Sequence, residues 1–180
     1  MLEIINENDK VIGLETRAKI HEQGLLHREI HVYFITPQAE IIFQHRAKDK
    51  DTYPDLLDAT VGGHVEPGMT YEETAIKECE EETGIKVDPK KLILLAKLKK
   101  QSFDETTNTI NNTIRAQYAY LYTEKISDLK IEENRAVGFE AWKIVNLFNL
   151  TAEQKARFIS VFLEPEMLEL YKKMEKLLLK

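Results

Sequence analysis

Residues 70–84 constrain the fold more than any other stretch of this chain. Thr70 stands ahead of Tyr71-Glu72-Glu73. Its hydroxyl can cap the first turn while Glu73, three residues on, reaches back to the Thr70 amide. Gly84 follows Thr83, where a left-handed residue is wanted to end a helix. On such a helix Glu78 and Glu82 lie one turn apart with Glu81 beside them, so three carboxylates project from one side. Like charges at that spacing repel by about 0.2–0.5 kcal/mol per pair on an isolated helix. A hard divalent cation removes the penalty, and carboxylate oxygen is the donor that Mg²⁺ takes. By charge alone the cluster reads as a solvated acidic face. The residues around it reverse that reading.

Glu29 to Thr36 and Glu40 to Arg46 are rich in Ile, Val, Phe and Tyr and are separated by Pro37-Gln38-Ala39, which predicts paired strands. The segment Glu3 to Thr16 carries two apolar runs about Asn6-Glu7-Asn8-Asp9, a hairpin signature. A short strand is expected over Asp58 to Val65, with the glycine pair Gly62-Gly63. Leu92 to Leu98, Thr113 to Thr123 and Gly138 to Val145 are further strands, the first two joined by a polar loop. From Thr151 to Lys180 the spacing of Phe158, Phe162, Met167, Leu170 and Met174 predicts helix. Its apolar stripe must cover the domain or a second copy in a homodimer. The expected class is α/β (α+β), a mixed sheet flanked by helices. It forms a single domain over 1–180, with 151–180 a helical C-terminal extension.

The net charge of −6 argues against a nucleic-acid or membrane-surface partner. An anionic substrate then needs a local cation cluster or a bridging metal. No apolar run approaches the roughly 20 residues that span a bilayer. Cys79 is the only cysteine, which excludes an internal disulfide and a cysteine-based zinc knuckle. A cytoplasmic location is expected.

The stretch from Gly63 to Ile85 resembles the Nudix box. Gly63, Glu78, Cys79 at an aliphatic slot, Glu81, Glu82, Gly84 and Ile85 all fall in register. Two positions depart: Met69 replaces the first box glutamate and Lys77 the box arginine. These two usually form a salt bridge in the family, so a compensated pair is expected here, with Met69 on the lysine stem. Leu25-Leu26-His27-Arg28 through Gln44-His45-Arg46, then Lys50, Pro54 and Asp58-Ala59-Thr60, are similar to one Nudix branch. It contains isopentenyl-diphosphate isomerase and its hydrolase-like relatives. The resemblance implies a Nudix α/β/α sandwich and a diphosphate hydrolase using Mg²⁺, with Mn²⁺ as substitute, held by Glu78, Glu81 and Glu82. It places Arg46 and Lys50 on the substrate diphosphate and offers His21, His27 and His64 as a second metal site.

Water attack on phosphorus needs a base. Glu81 is the first candidate, and Glu105, Glu132 and Glu133 are loop candidates, with Glu133 carried forward beside the box glutamates. Gly62 stands where the isomerase has its catalytic cysteine, which speaks against isomerisation and opens room beside Gly63 for backbone or water to approach a phosphate. The leaving group is not readable: Tyr53, Phe103, Tyr118 and Trp142 are candidates to stack on a base. The alternatives are a catalytically weak nucleotide-binding module and the isomerase itself.

Overall fold

The computed structural model describes residues 1–50, 52–105, 107–132 and 136–178. Two short strands, β1 (Leu2–Ile5) and β2 (Val11–Glu15), pair as the expected hairpin. The Asn6 side chain accepts from the amides of Asn8 and Lys10 and so shapes its turn. Helix α1 (Arg17–Gln23) follows, unforeseen because it is only two turns long and carries no clear apolar stripe. Its signals were present: Thr16 caps it and Gly24 ends it at φ 62°.

The main sheet contains β3 (His27–Ile35), β4 (Glu40–Arg46), β5 (Leu57–Asp58), β6 (Val61–His64), β7 (Ile93–Asp104), β8 (Thr109–Leu121) and β9 (Ala136–Lys143). The order β5-β4-β3-β8-β7 forms its spine, with β6 paired to β3 and β9 to β4. The β3–β8 pair is parallel and the others are antiparallel, so the sheet is mixed.

Alternation along the strands divides the core in two. Ile30, Val32 and Phe34 pack with Tyr71, Ala75 and Cys79 of α2 (Tyr71–Thr83) on one face. Tyr33, Ile35, Ile41 and Phe43 meet the C-terminal residues Phe158, Phe162, Met167, Leu170, Tyr171 and Met174 on the other. The tail's stripe is therefore covered by its own sheet. With helices on both faces, the architecture is the α+β sandwich expected from the sequence.

Two expectations change in detail. The polar loop between the 90s and the 110s is largely strand, because β7 and β8 pair from Ile93↔Ala119, through a bulge between Leu94 and Ala96, and then in constant register out to Asp104↔Thr109. The tail is not helical from 151. It forms α3 (Ala152–Lys155), a 3-10 turn at Ser160–Leu163 and α4 (Pro165–Leu177). Pro165 disfavours helical backbone at Glu164 and is well suited to start α4, so Phe158, bridged to Leu57, and Phe162, in the 3-10 turn, precede the α-helix.

Candidate functional site

Helix α2 is built as its caps require. Thr70 Oγ1 accepts from the Glu73 amide and Glu73 returns the bond to the Thr70 amide, while Gly84 adopts φ 71°. The three glutamates then part company. Glu82 is buried, and its Oε2 accepts from Gln44 Nε2 at 2.9 Å. Glu81 is exposed and pairs with Lys77 Nζ at 3.0 Å. Glu78 lies against Gly63: a Cβ on that glycine would fall 2.7 Å from Glu78 Cδ. Missing atoms at Gly63 are what let this carboxylate reach past β6 into the adjoining cleft.

Lys77 Nζ bridges Glu66 and Glu81, each at 3.0 Å, whereas Met69 packs against the apolar cluster under α2. The loop is still braced to the helix. Its carboxylate comes from Glu66, three residues earlier than the family's, and both members are half exposed, so the pair contributes about 0–1 kcal/mol.

The cleft has a volume of about 1260 Å³. Its floor is the polar end of the sheet. Period-two alternation puts His27, Glu29, His31 and Tyr33 on one face of β3, and the parallel register sets Arg115 beside Glu29. Arg115 Nε and Nη2 donate to Glu29 Oε2 at 2.9 and 2.6 Å, and Asn111 Nδ2 donates to Oε1 at 3.1 Å. Burial alone would raise the Glu29 pKa, but the Arg115 guanidinium, then His64 and His27, hold it well below the usual carboxylate range. Sequence reading missed this pair. The signal available was the polar alternation His27-Glu29-His31 inside an otherwise apolar strand.

His21 from α1, His27 from β3 and His64 from β6 converge above Glu29. Their ring centroids stand 5.1 Å apart pairwise, and one nitrogen of each lies within 4.8 Å of the others. His64 Nε2 is 3.2 Å from His21 Nε2 and 3.3 Å from Glu29 Oε1. His27 Nδ1 faces the Leu25 carbonyl at 2.9 Å. Donation there leaves the lone pair on Nε2, which is buried and has no hydrogen-bond partner among the described residues. Burial lowers the pKa of His21 and His27 and pushes His64 down to about 3, so all three are neutral near pH 7. Two metal–nitrogen bonds of about 2.0–2.1 Å at a tetrahedral angle set the nitrogens roughly 3.4 Å apart. The donor set fits a transition metal. Among the described residues this is the group of three or more ligating side chains that comes together; Glu78, Glu81 and Glu82 do not form a second one.

The remaining expectations divide. Gly62, Gly63, Lys50 and Arg46 line the cleft. The Arg46 guanidinium, however, is engaged by the Tyr53 and Thr52 carbonyls and by Asp58 at 2.8 Å, and so fastens the 47–57 loop. Lys99, Lys100 and Arg17 bring further positive charge to the cleft. Of the four aromatic candidates Tyr53 lines it, while Tyr118 packs toward α2, Trp142 packs on Phe158 and Phe103 is exposed on the β7–β8 arm. Glu105 and Glu132 are exposed and do not line it. Glu133 lies outside the described residues.

One wall comes from the C-terminal segment. The Leu57 amide donates to the Arg157 carbonyl at 2.7 Å, and the Ile159 amide to the Leu57 carbonyl at 3.2 Å. Ser160, Val161, Phe162 and Glu164 then flank the opening, where Lys100 Nζ pairs with Glu164 at 2.7 Å and with Glu166.

A mixed sheet between helices, with a glycine–glutamate contact beside a cleft lined by charges of both signs, defines a recognisable class. Residues 25–163 match the NUDIX domain family, and the chain belongs to it. It is similar to an uncharacterized Nudix hydrolase of Clostridium acetobutylicum, 27% identical over 163 residues that cover 88% of this chain and 73% of that protein. It spans about half the length of the other curated relatives it matches. Among solved structures, DR0079 from Deinococcus radiodurans superposes with a TM-score of 0.69 at 24% identity, covering 96% of this chain and 97% of that one. The NUDIX domain of Shewanella oneidensis NrtR, described in complex with ADP ribose, gives a TM-score of 0.57 at 11% identity, covering 89% and 99%. Among the described residues no helix is long and apolar enough to cross a membrane.

Proposed function

We propose that this chain is a metal-dependent hydrolase that cuts the diphosphate linkage of a nucleoside diphosphate derivative or related small molecule, by water attack on phosphorus. The observation that carries this reading is the Glu78 carboxylate, laid against Gly63 at the mouth of a cleft lined by Lys50, Lys99 and Lys100. Glu78, Glu81 and Glu82 would hold Mg²⁺, or Mn²⁺ in its place. Bound there, the ion would neutralise and orient the phosphates and activate a water. Glu82 is fixed by Gln44, and Glu81, exposed beside Lys77, is within reach of solvent as the base. Lys50 meets the distal phosphate charge, and Gly62 and Gly63 let it approach the backbone.

His21, His27 and His64 form a second, transition-metal site on the same reading, supported by the orphaned nitrogen of His27. One equivalent of Co²⁺ per chain, with visible bands abolished by His64→Ala, is the expected result. Bands that survive that substitution would remove the site.

Isomerisation requires an acid near an allylic unit, and Gly62 has no side chain to supply one. The decisive experiment is hydrolysis in ¹⁸O-water across a panel including ADP ribose and isopentenyl diphosphate, with Mg²⁺ and Mn²⁺. Label should enter the phosphate product and vanish with Glu82→Gln. Label in an alcohol, which reports water attack on carbon with the diphosphate leaving, or dimethylallyl diphosphate formed at catalytic rates, would replace the proposal; tight binding without turnover would mark a binding module.

A further inference from the structure

His31 is a buried titratable group that the mechanism above does not use. It sits on the cleft face of β3, directly opposite Gly62 in the β3–β6 register. A Cβ on Gly62 would lie 3.2 Å from its Cδ2 and 3.5 Å from its Nε2. The missing side chain therefore leaves room for the imidazole edge to lie against Gly62, and both residues line the cleft. Phe162 packs on the imidazole with centroids 5.3 Å apart. Among the described residues no protein group bonds to Nε2, while Nδ1 lies 3.4 Å from the Tyr33 hydroxyl.

That hydroxyl lies within donating distance of Nδ1. Tyr33 is fully buried, and burial raises its pKa well above the usual value, so it stays protonated. Nδ1 is the acceptor it has among the described residues. A hydroxyl donating to Nδ1 leaves the ring proton on Nε2. Burial, and then the Arg115 guanidinium, against Glu29, hold the imidazole neutral. With the hydroxyl donating, the group presented beside Gly62 is a neutral N–H donor facing the cleft and held by the packing of Phe162, one residue from the glycine on which Glu78 rests.

We propose that His31 contacts the substrate, donating from Nε2–H to an anionic oxygen of the diphosphate above Gly62, with Tyr33 as the positioning residue that sets the tautomer. This rests on the reading of the cleft as a diphosphate site. A neutral donor adds no charge to the resting cleft, yet gives directional recognition where a hydrogen bond to a charged partner is strong.

The test uses the full chain, ¹⁵N-labelled, with Mg²⁺ and methylenediphosphonate, a diphosphate that water does not cleave. Long-range ¹H–¹⁵N spectra should show His31 as the Nε2–H tautomer, and Tyr33→Phe should shift it toward a mixture. Adding the probe should move the His31 Nε2 resonance together with the Gly63 amide. His31→Leu should weaken probe binding about tenfold or more. His31→Gln, whose amide nitrogen can replace Nε2, should stay within about threefold. If Gly63 responds and His31 does not, or if Leu and Gln weaken binding equally in folded protein, this proposal falls and the hydrolase reading stands. If nothing in the cleft responds to the probe, both fall.

Discussion

Gly63→Ala separates the fold from the site. Carbon atoms in contact settle about 3.5–4.0 Å apart, whereas the new methyl would meet Glu78 Cδ at 2.7 Å and Cγ and Oε1 at 2.9 Å. The carboxylate must retreat by roughly 0.8 Å. It is the far end of a flexible, half-buried side chain, so the retreat requires a rotamer adjustment of about 0.5–1.5 kcal/mol. Gly63 has no positive φ, so alanine is not strained there, and the stiffer unfolded chain returns about 0.4–1 kcal/mol. Net stability should change by about 1 kcal/mol or less in urea titration. Activity should not survive so well, because a misplacement near 1 Å at a reacting centre costs about 10²-fold. Calorimetry with Mg²⁺ should show weaker binding, and the turnover of the best panel substrate should fall about a hundredfold. Wild-type kcat with unchanged Mg²⁺ affinity would refute the placement of Glu78. A stability loss above about 3 kcal/mol would show that Glu78 cannot move.

Other outcomes follow from the same contacts. Arg115→Met leaves Glu29 buried without its guanidinium and should cost about 3–5 kcal/mol; adding Glu29→Gln should restore a large part in urea melts, and no restoration would discredit the pair. His64 has a folded pKa near 3 against 6.5 for the free group, so the unfolded chain protonates first. The stability it contributes, complete above pH 6.5, should drain away as pH falls toward 3; a metal-free urea midpoint that is no higher in His64 protein than in His64→Gln at pH 7 relative to pH 5 would contradict this. A chain ending at Leu150 uncovers Tyr33, Phe43 and Leu57 and should aggregate in light scattering, whereas a soluble, active monomer would make the tail dispensable. Lys77→Met should shift stability by only about 0–1 kcal/mol, and a larger loss would mean the Glu66 brace carries more than its exposure suggests.

Legibility in the sequence tracked how local the cause was. The ends of α2 follow from Thr70, Glu73 and Gly84, which act within a single turn, and β4 was read to the residue because its apolar run ends in polar chain on both sides. The β7–β8 arm was read short because its outer pairing depends on a partner strand, which Asn111 and Asn112 do not announce. The tail is helical as its spacing predicts over Met167, Leu170 and Met174, but the period of Phe158 and Phe162 is matched by a strand bridge and a 3-10 turn packed on the sheet, with Pro165 marking the start of α4. At the candidate site, the α2 glutamates and the three histidines follow from motif and resemblance. Their orientations do not, since only the fold shows Glu82 turned to Gln44 and Glu81 to Lys77. Glu29, Arg115 and His31 become neighbours of the site through strand register, a long-range property with a faint local trace.

The C-terminal wall also bears on the order of synthesis. Phe162 and Glu164 leave the ribosome after every strand of the sheet and after α2. Helix α2 can therefore dock on its own face while Tyr33, Ile41 and Phe43 still present bare apolar surface on the other. Until Leu57 pairs with the 157–159 segment and Lys100 meets Glu164, the nascent chain has α2 in place but lacks one wall of the cleft. During that interval it displays an uncovered sheet face of the kind that recruits chaperones or its own unfinished copies.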